Sequence, residues 1–205
     1  MYSVIRTFHK TVIDSIVPGE VAEYDWLRET IDQSGTAAYQ QRYKNFWGMN
    51  VAQLSSPFYA TYFEFLSAAT TPTPTDLCKA LYESSTRRDG IRTLQFSFAT
   101  KLLHTLNPRL PIYDSLVARF FLFKVPSNDR PVRERIAKLI EFYDFLGTEY
   151  ARVIKGGQLA SAIAEFRQRF NPQQHTDEKI IDWLIWGLVN LADREALLTS
   201  QIVYE

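Results

Sequence analysis

Apolar residues in this 205-residue chain recur at spacings of three and four rather than two, the period of helices that bury one face. Prolines punctuate the pattern. Ser55-Ser56-Pro57 reads as a cap followed by proline in the first turn, opening a helix whose buried face is Phe58, Tyr62, Phe65, Leu66 and Ala69. Thr70 to Thr75, with Pro72 and Pro74, reads as a linker in which Thr75 caps a helix over 76–86. Arg87-Arg88-Asp89-Gly90 turns into a longer helix with the stripe Ile91, Leu94, Phe98, Leu102 and Leu106, which Asn107-Pro108 ends. A proline-bracketed loop leads to Asp114 at a helix N-cap position, and the following 115–124 is apolar nearly all round, so that helix is expected to be central. Pro126 and Pro131 frame a loop before a long amphipathic helix over 132–155. Gly156-Gly157 breaks it, 158–170 resumes, and Thr176 caps a last helix whose face is Ile180, Ile181, Leu184, Ile185 and Leu188. The expected fold is all-α, a single unit of about ten helices.

The net charge is zero, from 23 Lys and Arg against 23 Asp and Glu, but the charges are not evenly spread. Residues 1–86 carry a net −3, residues 87–138 a net +7, and residues 139–205 a net −4. A neutral chain does not coat nucleic acid by bulk charge, whereas a basic central segment points to an anionic partner held along one strip. The single cysteine, Cys78, excludes an internal disulfide and a cysteine-cluster zinc site. No apolar run approaches the roughly 20 residues of a membrane span. Arg6 and Lys10 break any signal-like run at the N-terminus, so a cytoplasmic protein without a membrane partner is expected.

Several enzyme classes are absent by motif. There is no Gly-x-x-x-x-Gly-Lys loop, no Gly-x-Gly-x-x-Gly, no Gly-x-Ser-x-Gly elbow and no His-Glu-x-x-His helix. His9, His104 and His175 lack metal-ligand spacing, so neither metal nor cofactor is expected.

One stretch carries a likeness. Ser97 to Leu103 (SFATKLL), followed by Leu110-Pro111-Ile112-Tyr113-Asp114-Ser115-Leu116-Val117-Ala118-Arg119, resembles the helix-hairpin-helix DNA glycosylase superfamily, in particular its 8-oxoguanine glycosylase branch. Lys101 matches the position of that family's lysine nucleophile, Asp114 that of its essential carboxylate, and Ser97 and Ala99 stand where its hairpin glycines do. The resemblance implies a two-lobed helical fold with a cleft between the lobes. The motif segment is 87–138, and the partner is duplex DNA bound by a monomer. The activity implied is excision of a damaged base, oxidised guanine above all, with β-lyase strand cleavage if Lys101 forms a Schiff base.

The chemistry asks for the same residue types. Breaking an N-glycosidic bond builds positive charge on the deoxyribose, which a carboxylate beside C1′ stabilises. A helix N-terminus offers its amides and dipole to such a carboxylate. A lysine nucleophile must be neutral, as desolvation can arrange. On a helical wheel Lys101 lies at the border between the apolar stripe and the polar face of Ser97 and His104. A flipped base needs aromatic walls, for which Trp183 and Trp186 are candidates, with His104 beside the substrate. The run Tyr39 to Trp47 interleaves Arg42 and Lys44 with Tyr43, Phe46 and Trp47, a mixture suited to stacking and backbone contact. Arg87, Arg88, Arg92, Arg109 and Arg119 are further candidates for phosphate contact. Two other readings stand beside this one: excision of a hypermodified base from foreign DNA, and a non-catalytic DNA- or protein-binding module on the same scaffold. The enzyme reading requires the side chains of Asp114 and Lys101 to converge within a few ångströms in an open basic cleft.

Overall fold

Helix boundaries fall where caps and prolines put them. The computed structural model describes residues 2–68, 70–84, 87 and 89–193. Ten α-helices run through them: α1 (Tyr2–Asp14), α2 (Pro18–Glu29), α3 (Ala37–Phe46), α4 (Ser56–Ser67), α5 (Pro74–Ser84), α6 (Phe96–Leu106), α7 (Ser115–Phe120), α8 (Val132–Lys155), α9 (Ala160–Phe170) and α10 (Asp177–Asp193). Two 3-10 segments, Ile31–Gln33 and Met49–Ala52, complete the regular structure, and no strand occurs among the described residues. None of these helices is long and apolar enough to cross a membrane. The chain is all-α.

Ser55 Oγ accepts from Phe58 N–H, and Thr176 Oγ1 accepts from Lys179 N–H, so both caps act as the sequence predicts. The start of α5 differs. Thr73, not Thr75, is its cap: Thr73 Oγ1 accepts from Asp76 N–H at 3.1 Å and donates to Asp76 Oδ2 at 2.7 Å. Pro74 then sits in the first turn, where its missing N–H costs nothing. On α4, Phe63 is buried and Phe65 only half-buried, while Ala69 lies outside the described residues.

Two boundaries are corrected. Helix α6 begins at Phe96, so Ile91 and Leu94 precede it, and Ile91 is exposed. Turn chemistry wins there: Asp89 Oδ1 accepts from Ile91 N–H, Gly90 takes φ +82°, and Arg87 N–H donates to Ile91 O. Helix α7 stops at Phe120 rather than 124. Leu122 takes a left-handed φ of 54°, and Phe123 N–H donates to Ala118 O, a Schellman closure made without glycine.

The central helix is α10, not α7. It packs on α1, α7, α8 and α9, and Ile180, Ile181, Leu184, Ile185 and Leu188 are each 0% exposed. Helices α4, α5 and α6 pack on one another, and α5 also meets α8. Buried side chains form one continuous cluster. Cys78 lies in it, its thiol pushed up to about 12 by burial.

The tightest crossing is α1 on α10. A Cβ placed on Gly187 would lie 2.9 Å from Val12 Cγ1, a stiff branched side chain that is itself fully buried. Gly187→Ala is therefore expected to destabilise the fold by roughly 1 kcal/mol in urea unfolding, overpacking exceeding the gain in helix propensity. In a Val12→Ala background the same change is expected to recover stability, a coupling that a double-mutant cycle reads directly.

Candidate functional site

Thr100 and Lys101 are neighbours on α6, and Tyr113 and Asp114 are neighbours in the loop that enters α7. Thr100 is fully buried, and its Oγ1 accepts from Tyr113 N–H at 3.0 Å and lies 3.2 Å from Tyr113 O. One hydroxyl thus clamps the peptide before Asp114 to the residue before Lys101. Asp114 then caps α7 with Oδ1, which accepts from Leu116 and Val117 N–H at 2.9 Å each. Oδ2 accepts no hydrogen bond among the described residues and is left for the cleft.

Lys101 and Asp114 both line a cleft of about 740 Å³. Its aromatic walls are Phe46 and Trp47 from the end of α3 and Trp183 and Trp186 from α10. Phe46 meets Trp183 edge-on at 6.4 Å between ring centres, and Trp183 meets Trp186 edge-on at 6.1 Å. Lys101 Nζ donates to Trp47 O at 3.3 Å and sits 5.1 Å from the centre of the Phe98 ring. Burial lowers its pKa below the ordinary lysine value of 10.5; the charges of Asp114 and Asp182 oppose that shift, and Lys179 adds to it. The amine does not point into bulk solvent.

The cleft also holds charged groups that the sequence pattern did not single out. Lys179 Nζ pairs with Asp182 Oδ2 at 2.8 Å, both side chains almost wholly buried, and Lys179 lies 4.5 Å from the centre of the Trp183 ring. Burial raises the pKa of Asp182 and outweighs the attraction of Lys179. Residues 179, 182, 183 and 186 are spaced by three and four, so they share one face of α10, and that spacing was the available signal. Glu20 on α2 enters from the opposite side with Oε2 unpartnered, its pKa also raised by burial. Trp183 is 5% exposed, and its Nε1–H has no acceptor among the described residues. Both of these unpartnered atoms are closed to solvent.

The expectation of a basic cleft needs correction. This cleft carries Arg42, Lys101 and Lys179 against Glu20, Glu23, Asp114 and Asp182. A second cavity of about 630 Å³ shares Lys101, Asp114 and Trp186 with it and brings in Arg119 and Arg135. That second lobe is the basic one.

Other candidates fall in varied places. Arg42 reaches the cleft rim, where its Nε donates to Glu23 Oε1 at 2.8 Å and its guanidinium stacks 3.3 Å from the Trp26 ring centre. Arg119 lines the second cavity and pairs with Asp193 through two 2.7 Å hydrogen bonds. Lys44 turns away to the Tyr59 ring, Arg87 pairs with Asp89 in the turn before α6, Arg109 is exposed in its loop, and Arg92 faces a separate groove between α5 and α8. Arg88 lies outside the described residues. Ser97 and Ala99, which stand where the resemblance puts hairpin glycines, are helical residues of α6, so they offer no open backbone turn.

His104 does not touch the cleft. It is 1% exposed, with Nδ1 donating to Leu110 O at 2.6 Å and Nε2 accepting from Tyr24 OH at 2.7 Å. A carbonyl can only accept, which fixes the tautomer. Burial pushes the His104 pKa down to about 3, well below its ordinary 6.5. Between those values the unfolded chain binds the proton and the folded one does not, so stability is full above pH 6.5 and declines as pH falls toward 3. The melting temperature is expected to drop between about pH 7 and pH 5, less steeply in His104→Gln, each such group contributing about 1.4 kcal/mol per pH unit at most. His175 adds to the same trend, its pKa lowered by burial despite a 3.0 Å hydrogen bond from Nδ1 to Asp25.

Among the described residues no group of three or more His, Cys, Asp and Glu side chains could hold a metal ion. No family model, curated protein or solved structure matches the chain.

Proposed function

We propose that the protein is a DNA glycosylase that receives a flipped base in the aromatic cleft and cleaves its N-glycosidic bond. The observation that carries this reading is the meeting, in one aromatic cleft, of a lysine amine made less basic by burial and a carboxylate with one uncommitted oxygen. Asp114 stabilises the positive charge that grows on the sugar, and the Lys101 amine attacks C1′. Phe46 and Trp186, the half-buried rings of the cleft, supply stacking faces for a base. The two-lobed division belongs to the same proposal: α4–α6 form one packed group, α1, α7, α8 and α9 gather on α10, and residues of both line the cleft.

The test is incubation with duplexes carrying a panel of oxidised and hypermodified bases, with released bases identified by mass. Oxidised guanine is the expected product, acting in repair by a monomer; a hypermodified product would assign the protein to defence against foreign DNA. One observation favours a non-catalytic module: the helical backbone at Ser97 and Ala99 removes the glycine turn that would approach a phosphate. Salt-dependent duplex binding with no base released from any member of the panel would select that module.

A further inference from the structure

Beyond Lys101, Asp114 and Trp186, which it shares with the cleft, the residues of the second cavity have no part in the chemistry described so far. Most of its wall comes from the 87–138 segment that carries net +7, and it opens directly behind Lys101 and Asp114. Arg135 projects into it from the first turns of α8. Its side chain is half-buried, its Nε is wholly buried with no hydrogen-bond partner, and it forms no ion pair among the described residues. A half-buried guanidinium without a counter-charge is costly to keep, and a planar fork of donors matches the oxygens of a phosphodiester. Ser97 and Ser115 line the same cavity and place hydroxyl donors around the space that Arg135 faces, while Arg119 stands at its side. The only carboxylate of the described residues in that wall is Asp114.

We infer that this second lobe is a phosphodiester site, in which Arg135 grips the backbone of a nucleic-acid strand next to the nucleotide held in the aromatic cleft. The inference rests on the glycosylase reading for the direction of the strand, and it supplies the phosphate anchor that the helical Ser97 and Ala99 cannot. The two lobes thereby carry charge to match what each receives, since the acidic aromatic lobe meets a neutral base and the basic lobe an anionic backbone.

Duplex affinity is to be measured by fluorescence anisotropy over a salt series, using the full chain. Arg135→Gln is expected to weaken binding about tenfold near 0.1 M salt and to lower the slope of log affinity against log salt by about 1. Lys79→Gln, in the separate α5–α8 groove, is expected to change neither quantity. Ser115→Glu tests the lobe even if Arg135→Gln fails to fold, because an acidic residue in the first turn of α7 favours the helix. It is expected to weaken binding by a similar factor through repulsion of the phosphate. Unchanged affinity and slope in Ser115→Glu, or in a folded Arg135→Gln, overturns the inference even where the wild-type protein releases base. Loss of slope in a protein that releases no base sustains the phosphate site and removes the catalytic reading instead.

Discussion

An Asp114→Asn variant is expected to bind duplex DNA at native strength and to release base on the order of 10³-fold more slowly. The substitution isolates one property of the side chain. Asp114 Oδ1 accepts from the Leu116 and Val117 amides, and asparagine carries an equivalent carbonyl oxygen and ranks beside aspartate as an N-cap. Helix α7 is therefore kept, along with the Thr100 clamp on Tyr113 that holds the loop against α6. What disappears is the negative charge that the proposed reaction needs beside the sugar. Asp114→Ala removes cap and charge together and is expected to cost about 1 kcal/mol of stability in addition to the turnover. Single-turnover base release and urea unfolding, measured on both variants, separate the two roles. Native turnover in Asp114→Asn, with only the alanine variant destabilised, would reduce Asp114 to a cap.

The sequence made the helices legible wherever a cap or a proline agreed with the apolar period, as at Ser55, Thr176 and the long α8. It misled where turn chemistry competed with that period. Ile91 and Leu94 continue the stripe of α6 without interruption, yet Asp89 and Gly90 close a turn whose hydrogen bonds win locally. The site divides in the same way. Lys101 and Asp114 were singled out by the resemblance of their two short segments, and the buried Thr100 hydroxyl joins their chain neighbours, so both line one cleft. Glu20 was not, because nothing in the sequence says that α2 crosses the end of α3 and faces α10. His104 misled for a related reason: the wheel places it on the polar face with Ser97, but Tyr24, distant in the chain, and Leu110 O satisfy its ring. Charge sums were informative only by segment. Of the eleven cations in the +7 stretch, Lys101, Arg119 and Arg135 line the cavity beside the aromatic cleft, and Arg119 is paired there with Asp193.

Borohydride added during turnover is expected to leave a covalent protein–DNA adduct in the native protein and none in Lys101→Ala. The balance of the step sets what the experiment reads. In the proposed reaction the lone pair on Lys101 Nζ forms a bond to C1′ as the N-glycosidic bond breaks, and the base leaves with that bonding pair and takes up a proton. The nitrogen would give up a proton, its lone pair would expel O4′ with the C1′–O4′ bonding pair as that oxygen takes a proton from water, and hydride from borohydride would reduce the resulting iminium to a stable secondary amine. Without borohydride, β-elimination from the same iminium cuts the strand. Only the neutral amine can begin this sequence, and burial lowers the Lys101 pKa, so adduct yield is expected to rise with pH and reach its midpoint below the ordinary lysine value of 10.5. Lys179 gives a control on that sign. Its charge is one of the influences that lower the Lys101 pKa, so Lys179→Met should move the midpoint to higher pH. Release of base without any adduct, at every pH and in a folded protein, would assign the attack to water and leave Lys101 as a cation that holds the Trp47 carbonyl in the cleft wall.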